Sequence, residues 1–238
     1  MVGIGPGCVA DRTLRAENAI RQSSAIFGYK RYLDLIADLI DGKQAVASGM
    51  TQETKRCRAA LDCAATGEIV ALVSSGDPGV YGMAGLALEM AEAEGIDVSI
   101  EIVPGVSAAN AAAARLGAPL MLDYACISLS DLLVPWQTIE KRLQAVAAAD
   151  LVCALYNPKS QTRIDPWEKA LEIFKAHRPA QTPVGIATAV GSADERMTIS
   201  TLEKLPNENV AMRSIVIIGN SSSRKSGSWL ITPRGYQL

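Results

Sequence analysis

The stretch 68–91 does most to limit what this chain can fold into. Glu68-Ile69-Val70-Ala71-Leu72-Val73 is short, apolar and partly β-branched, which predicts a strand. Ser74-Ser75-Gly76-Asp77-Pro78-Gly79-Val80-Tyr81-Gly82 carries three glycines and a proline, and predicts a loop. Residues 83–91 then read as helix. An apolar strand passing through a glycine-rich loop into a helix is the building unit of a parallel α/β sheet. The loop falls at the carboxyl end of its strand, where open α/β sheets bind ligands. Its glycines let main chain come close to a ligand. An ordinary turn is the competing reading of Gly-Asp-Pro-Gly taken alone.

The same unit recurs through the first half. Val2-Gly3-Ile4-Gly5-Pro6-Gly7 reads as a clipped strand and a glycine turn. It fits a dinucleotide fingerprint poorly: Cys8 stands at the sixth position, and neither Glu17 nor Asp34 clearly ends a second strand. A helix is predicted over 12–21, and strands over 25–28 and 45–48. Tyr32, Leu33, Leu35, Ile36, Leu39 and Ile40 form an apolar face at helical spacing, assigned to core packing. Over 52–65 runs a charged helix whose Lys55, Arg56 and Arg58 read as a solvated face. Residues 97–103 alternate as a half-buried strand does. Ser107, at the end of Pro104-Gly105-Val106-Ser107, is placed to cap a helix over 108–116. Five strands separated by helices predict a mostly parallel sheet.

The second half predicts strands over 125–129, 151–156, 184–189, 197–202 and 213–219, the last of them central. Helices are predicted over 137–149 and 166–175, with Pro166 in a first turn. Residues 220–228 read as a polar, basic loop. The expected division is an N-terminal α/β domain, 1–108, and a C-terminal α/β domain, 109–238.

Composition narrows the function. A chain of 238 residues can bury a good core, and a net charge of −2 does not suggest a nucleic-acid binder. No apolar run reaches membrane length, and the start has no signal-like pattern, so a soluble cytoplasmic protein is expected. Cys8, Cys57, Cys63, Cys126 and Cys153 are odd in number and include no Cys-x-x-Cys, which argues against disulfides and zinc. The single histidine, His177, falls at a predicted helix end, where a cation suits the dipole. Histidine-based metal and triad chemistry is therefore set aside. Four strand ends carry ligand-type loops: Gly5-Pro6-Gly7, Ser75-Gly76-Asp77, Ser107-Ala108 and Tyr156-Asn157-Pro158. A ligand gripped by main chain between two small domains needs such an arrangement.

These residues carry a resemblance. Gly3-Ile4-Gly5-Pro6-Gly7, Ser75-Gly76-Asp77-Pro78-Gly79-Val80-Tyr81-Gly82 and Val103-Pro104-Gly105-Val106-Ser107-Ala108 resemble the tetrapyrrole (corrin/porphyrin) methylases. Ile127-Ser128-Leu129-Ser130-Asp131-Leu132-Leu133, Leu155-Tyr156-Asn157-Pro158-Lys159-Ser160, Ile217-Ile218-Gly219-Asn220-Ser221 and Ile231-Thr232-Pro233-Arg234-Gly235-Tyr236 are similar to a corrin-methylating subgroup. The joint order of the blocks, over essentially the whole chain, is what makes the signal specific. The chain departs from the family pattern at its start, where the first strand is almost missing.

The resemblance implies two α/β domains with a ligand trough between them, a tetrapyrrole as substrate, and a homodimer. It implies S-adenosyl-L-methionine as methyl donor and S-adenosyl-L-homocysteine as product. The cofactor contacts it carries over are Pro6, Ser75, Gly76, Asp77, Val80, Ser107, Ala108, Leu155, Tyr156, Ala189 and Val190. The implied reaction is methyl transfer to C17 of a reduced tetrapyrrole with contraction of the macrocycle, on a metal-free or a cobalt-bearing substrate. The nucleophile is then a substrate carbon, so no catalytic Ser, Cys or His is required. Asp77 and Asp131 are candidates for proton transfer, with a helix cap as the alternative for Asp131. Lys159, Arg163, Arg224, Lys225 and Arg234 are candidate clamps for substrate carboxylates, with ordinary surface charge as the alternative for each. The rivals are another S-adenosylmethionine enzyme on the same fold and a non-catalytic tetrapyrrole-binding protein.

Overall fold

The computed structural model describes residues 1–237. The chain divides into two compact units, Met1–Ala108 and Ala109–Leu238. The first contains β1 (Val2–Gly3), α1 (Leu14–Gln22), β2 (Ala25–Tyr29), α2 (Lys30–Asp34), β3 (Gln44–Ser48), α3 (Glu53–Ala65), β4 (Val70–Ser74) and α4 (Ala84–Glu94). Helix α5 (Ala108–Leu116) begins at the boundary. The second unit continues with β5 (Gly117–Ala118), β6 (Tyr124–Ser128), α6 (Trp136–Ala148), β7 (Val152–Tyr156), α7 (Asp165–His177), β8 (Pro183–Thr188), β9 (Arg196–Thr201), β10 (Ser214–Ile218), β11 (Arg224–Ser226) and β12 (Trp229–Ile231).

In the first unit the sheet order is β1-β4-β2-β3, and every pairing is parallel. Its central strands are apolar on both faces because helices cover both. On one face Ile26, Ala71 and Val73 pack with Ala16 and Ile20 of α1 and with Leu33, Ile36 and Leu39. On the other, Ala25, Phe27 and Leu72 pack with Cys57, Ala60 and Leu61 of α3 and Ala87 and Met90 of α4. Alternate residues of each strand thus serve two separate cores.

Four strands form here rather than the predicted five. Residues 97–102 keep the expected alternation, with Val98 and Ile100 against the core and Asp97, Ser99 and Glu101 exposed, yet they join no ladder. Only Val103 bridges, to Val2, because β1 offers a partner two residues long. The apolar face over 32–40 is buried as predicted, but it is split between α2 and a 3-10 turn, Ala37–Leu39. Arg56 corrects the solvated-face expectation for α3. It lies on the buried stripe with Cys57, Ala60 and Leu61 and is 6% exposed.

The second unit has a five-stranded sheet, β6-β7-β10-β8-β9. Only β6 and β7 pair parallel; β7–β10, β10–β8 and β8–β9 are antiparallel. Strand β10 is central, as predicted, and each of its residues is buried. Ile139 and Leu143 of α6 and Trp167, Leu171 and Phe174 of α7 cover one face, against Cys153, Leu155, Ile186 and Val216. Leu116 and Leu230 approach the other face at Gly185, where an added Cβ would lie 2.6 Å from Leu116 Cδ1 and 3.0 Å from Leu230 Cδ2. Residues 220–228, expected as loop, instead supply β11. It turns at Gly227 and pairs antiparallel with β12, which pairs in turn with β5. The positive φ of 57° at Gly227 is the feature that closes this hairpin.

Candidate active site

In the first unit three loops meet at the carboxyl ends of β1 and β4. Gly5 and Gly76 exchange main-chain hydrogen bonds, at 3.2 Å from Gly5 N to Gly76 O and 2.7 Å from Gly76 N to Gly5 O. Gly3 N donates to Val103 O at 2.9 Å. The approach is so close that an added Cβ on Gly105 would lie 2.1 Å from Gly76 O and 2.8 Å from Gly3 C. Only glycine fits there. Gly76 has φ +63°, and a Cβ on it would face Ala108 N at 3.7 Å. The Ser75-Gly76-Asp77 main chain thus lies against the 106–108 main chain.

Asp77 holds this arrangement together. Its Oδ1 accepts from Gly79 N at 2.8 Å and its Oδ2 from Gly105 N at 3.1 Å. The first bond makes an Asx turn; the second ties two loops. With both oxygens engaged by amides, geometry assigns Asp77 to organising the loops rather than to moving a proton. Pro6, Ser75, Ser107 and Ala108 flank the same junction and are partly exposed, while Val80 is more open. Tyr81 adopts φ +54°, a left-handed strain of the kind that gathers at functional loops.

The second unit presents its own row of strand ends. The registers Ser128↔Tyr156, Val216↔Leu155 and Ser214↔Thr188 put the ends of β6, β7 and β8 on one side of the sheet. Leu155 is fully buried in the core, so its side chain cannot line a site. The Tyr156 hydroxyl accepts from Ala109 N at 2.9 Å, satisfying one of the free amides at the start of α5. Asn157 follows with φ +50°, and its Nδ2 donates to Ser128 Oγ at 3.0 Å.

Ala189 and Val190 follow β8, and Ala189 adopts φ +54°. Its carbonyl accepts from Ser192 N at 3.0 Å and Ser192 Oγ at 2.8 Å. Glu195 fixes the rest of this loop. Its Oε2 accepts from Gly191 N at 2.6 Å and its Oε1 lies 3.3 Å from Arg115 Nε. Neither Ser192 nor Glu195 was legible from the sequence, because each matters only through where the chain turns back.

The basic residues do not form one group. Arg163 donates from Nη1 to Leu129 O and from Nη2 to Asn157 O, each at 2.6 Å. It staples the ends of β6 and β7, and its fork is spent on carbonyls rather than left for a carboxylate. Lys159 is partly buried near the same end, and Arg234 is exposed beyond β12. Arg224 and Lys225 line a cleft of about 510 Å³ with Pro183, Thr201, Lys204 and Glu208. Pro183 begins β8 and Thr188 ends it, so this cleft is set about 17 Å along the strand from the Ala189 end. Arg224 and Lys225 therefore stand apart from the strand ends they were expected to serve.

Asp131 is exposed just beyond the end of β6. It caps no helix, since α6 starts at Trp136 with Pro135 preceding it. Thiol chemistry has no support: burial pushes the Cys153 thiol up to about 12, and burial also raises Cys57 and Cys126. His177 is exposed at the end of α7, with Nδ1 2.9 Å from Ile173 O. Among the described residues no group of three or more metal-ligating side chains occurs, and no helix is long and apolar enough to cross a membrane.

Known proteins resemble this chain in sequence and in fold. The profile of the family described as Tetrapyrrole (Corrin/Porphyrin) Methylases matches residues 1–206. A probable cobalt-factor III C(17)-methyltransferase of Salmonella typhimurium is 44% identical over 238 residues, covering all of this chain and 99% of that protein. A precorrin-3B C(17)-methyltransferase of Sinorhizobium is 40% identical over 229 residues, covering 94% of this chain and 89% of that one. The crystal structure of the methyltransferase CobJ superimposes with a TM-score of 0.92 at 36% identity, covering 98% of each chain. A glycine-locked junction of three loops, the α/β architecture and likeness over the full length lead to one conclusion: the chain belongs to the tetrapyrrole (corrin/porphyrin) methylase family.

Proposed function

We propose that the chain is an S-adenosylmethionine-dependent C-methyltransferase of cobalamin biosynthesis. It methylates C17 of precorrin-3B, or of its cobalt-bearing counterpart, and contracts the macrocycle to give precorrin-4 or cobalt-precorrin-4. The observation that carries this reading is the 44% identity to a protein named for C17 methylation, over nearly the full length of both chains.

S-adenosylmethionine supplies an electrophilic methyl group on a sulfonium and leaves as S-adenosylhomocysteine. The residues at the loop junction suit such a ligand. Gly76 bares its main chain beside the start of α5, and Gly105 and Gly3 let the loops close without side chains between them. Pro6, Ser75, Gly76, Val80, Ser107 and Ala108 would hold it, with Asp77 fixing the loop. The family resemblance adds main chain at Tyr156, Ala189 and Val190 as further contacts. Since the nucleophile is a substrate carbon, the protein acts mainly by positioning, a term of roughly 7–11 kcal/mol. Asp131, exposed beyond β6, is the carboxylate left to exchange a proton during contraction. Lys159 and Arg234 are the remaining clamp candidates of the second unit. A cytoplasmic homodimer is the working form under this reading, and rests on the family alone.

The test is anaerobic incubation with S-adenosylmethionine and either the metal-free or the cobalt-bearing substrate. Mass spectrometry and NMR should find a product heavier by one methylene, methylated at C17 and ring-contracted. Calorimetry should find micromolar binding of S-adenosylhomocysteine, about −8 kcal/mol. Folded protein that binds S-adenosylhomocysteine yet turns over neither substrate would overturn the assignment.

A further inference from the structure

A second cleft, of about 540 Å³, opens in the first unit at the carboxyl ends of β2 and β3. Tyr29 and Ser48 are the last residues of these strands and are paired in register. Both line the cleft, with Lys30, Arg31, Asp34 and Met50. Lys30 and Arg31 are exposed, and Asp34 is the one acidic side chain of the lining, so positive charge is in excess. These two cations open α2, whose first turn holds no acidic residue.

The wall beside them is built, not incidental. Buried Arg56 donates from Nη1 to Ser48 Oγ at 2.5 Å and to Gly49 O at 3.3 Å. Its Nε lies 3.3 Å from Met83 Sδ, and its nearest carboxylate, Glu53 at 3.8 Å, is half exposed. Burying a guanidinium without a buried carboxylate is costly. What it secures is the 48–51 turn. Thr51 in that turn has φ +62°, a strained outlier for a β-branched residue. At its tip Met50 is 68% exposed. An apolar side chain held beside two free cations suits a ligand with a flat apolar body and a carboxylate rim.

We propose that this cleft binds peripheral carboxylates of the substrate through Lys30 and Arg31, with Met50 against the ring and Arg56 as the positioning residue of the turn. The inference rests on the reading of the substrate as a macrocycle bearing several carboxylates. Arg56 touches no substrate; it acts through Ser48 and Gly49.

The test uses uroporphyrin III, an octacarboxylate macrocycle, titrated against the full chain by fluorescence quenching. The Lys30→Ala/Arg31→Ala double variant should bind it about tenfold or more weakly, with a shallower salt dependence. Its melting temperature and its affinity for S-adenosylhomocysteine should stay unchanged. Arg56→Lys keeps the charge but not the planar fork, and should raise substrate KM while kcat per folded molecule holds. A merely structural Arg56 would lower the melting temperature and leave KM alone. Wild-type protein that fails to bind uroporphyrin, or a double variant within about twofold of it, overturns the site. Binding that depends on Lys30 and Arg31 in a protein without methyl transfer sinks the proposed reaction and leaves the site standing. Methyl transfer with an unchanged KM in the double variant does the reverse.

Discussion

Asp77 and Gly105 show how a residue's role can differ from its chemical type. A carboxylate in a ligand loop suggests an acid or base. Here both oxygens accept main-chain N–H groups, so the side chain works as a fastener. The glycines likewise sort by what surrounds them. Gly105 has no room for a methyl group, because carbonyl oxygens and main-chain atoms fill that direction. Gly79 meets only Asp77 Oδ1 at 3.2 Å and has no positive φ. Gly105→Ala should therefore destabilise the protein by about 3 kcal/mol or more and weaken S-adenosylhomocysteine binding in the folded fraction. Gly79→Ala should fall within about 0.5 kcal/mol of wild type. Urea denaturation with calorimetry on the same preparations checks both. Equal effects at the two positions would mean that the loop does not depend on close main-chain packing.

At the scale of elements, Arg178 ties three segments together at the end of the second sheet remote from Ala189. It follows α7, is 5% exposed and stacks 4.8 Å over the Phe174 ring. Its Nη2 donates to Leu151 O at 2.5 Å and Val146 O at 3.4 Å, and its Nη1 donates to Gly219 O and Ile218 O. One side chain thus satisfies the end of α6, the approach to β7 and the exit from β10. Burial lowers its pKa from the ordinary arginine range, with Cys153 and Asp150 acting the other way. Arg178→Leu leaves those carbonyls without a donor, which should cost about 3 kcal/mol. Hydrogen exchange should speed up over 146–152 and 218–220, while S-adenosylhomocysteine affinity stays at the wild-type value. Lost affinity without lost stability would reveal a link to the site that these contacts do not contain.

Across the whole molecule, each unit has a core of its own. Ile26 belongs to the first and Leu143 to the second, and both are fully buried. Replacing either with Ala should cost about 2–5 kcal/mol. If the units open independently, Ile26→Ala will raise exchange within 1–108 alone and Leu143→Ala within 109–237 alone. A rise spread over both units in either variant would show that they unfold together.

The sequence by itself determined the strand–loop–helix order, the apolar faces and the loops at the strand ends. Those features are local: β-branched runs, glycine clusters and helical spacing act over a few residues. It also carried the family, through ordered blocks such as Ser75-Gly76-Asp77-Pro78-Gly79. Only the tertiary structure decided which strands pair. Residues 97–102 alternate like a strand but lack a partner long enough, and 220–228 look like loop but find β12. It also decided what each charge does. Arg56 reads as part of a solvated face and Arg163 as a clamp or a surface charge, yet each donates to main-chain carbonyls, as Arg178 does, and for Arg163 and Arg178 those carbonyls include ones from distant segments. A buried guanidinium is tolerable only where such acceptors surround it, and acceptors from remote strands leave no mark on the sequence near the arginine.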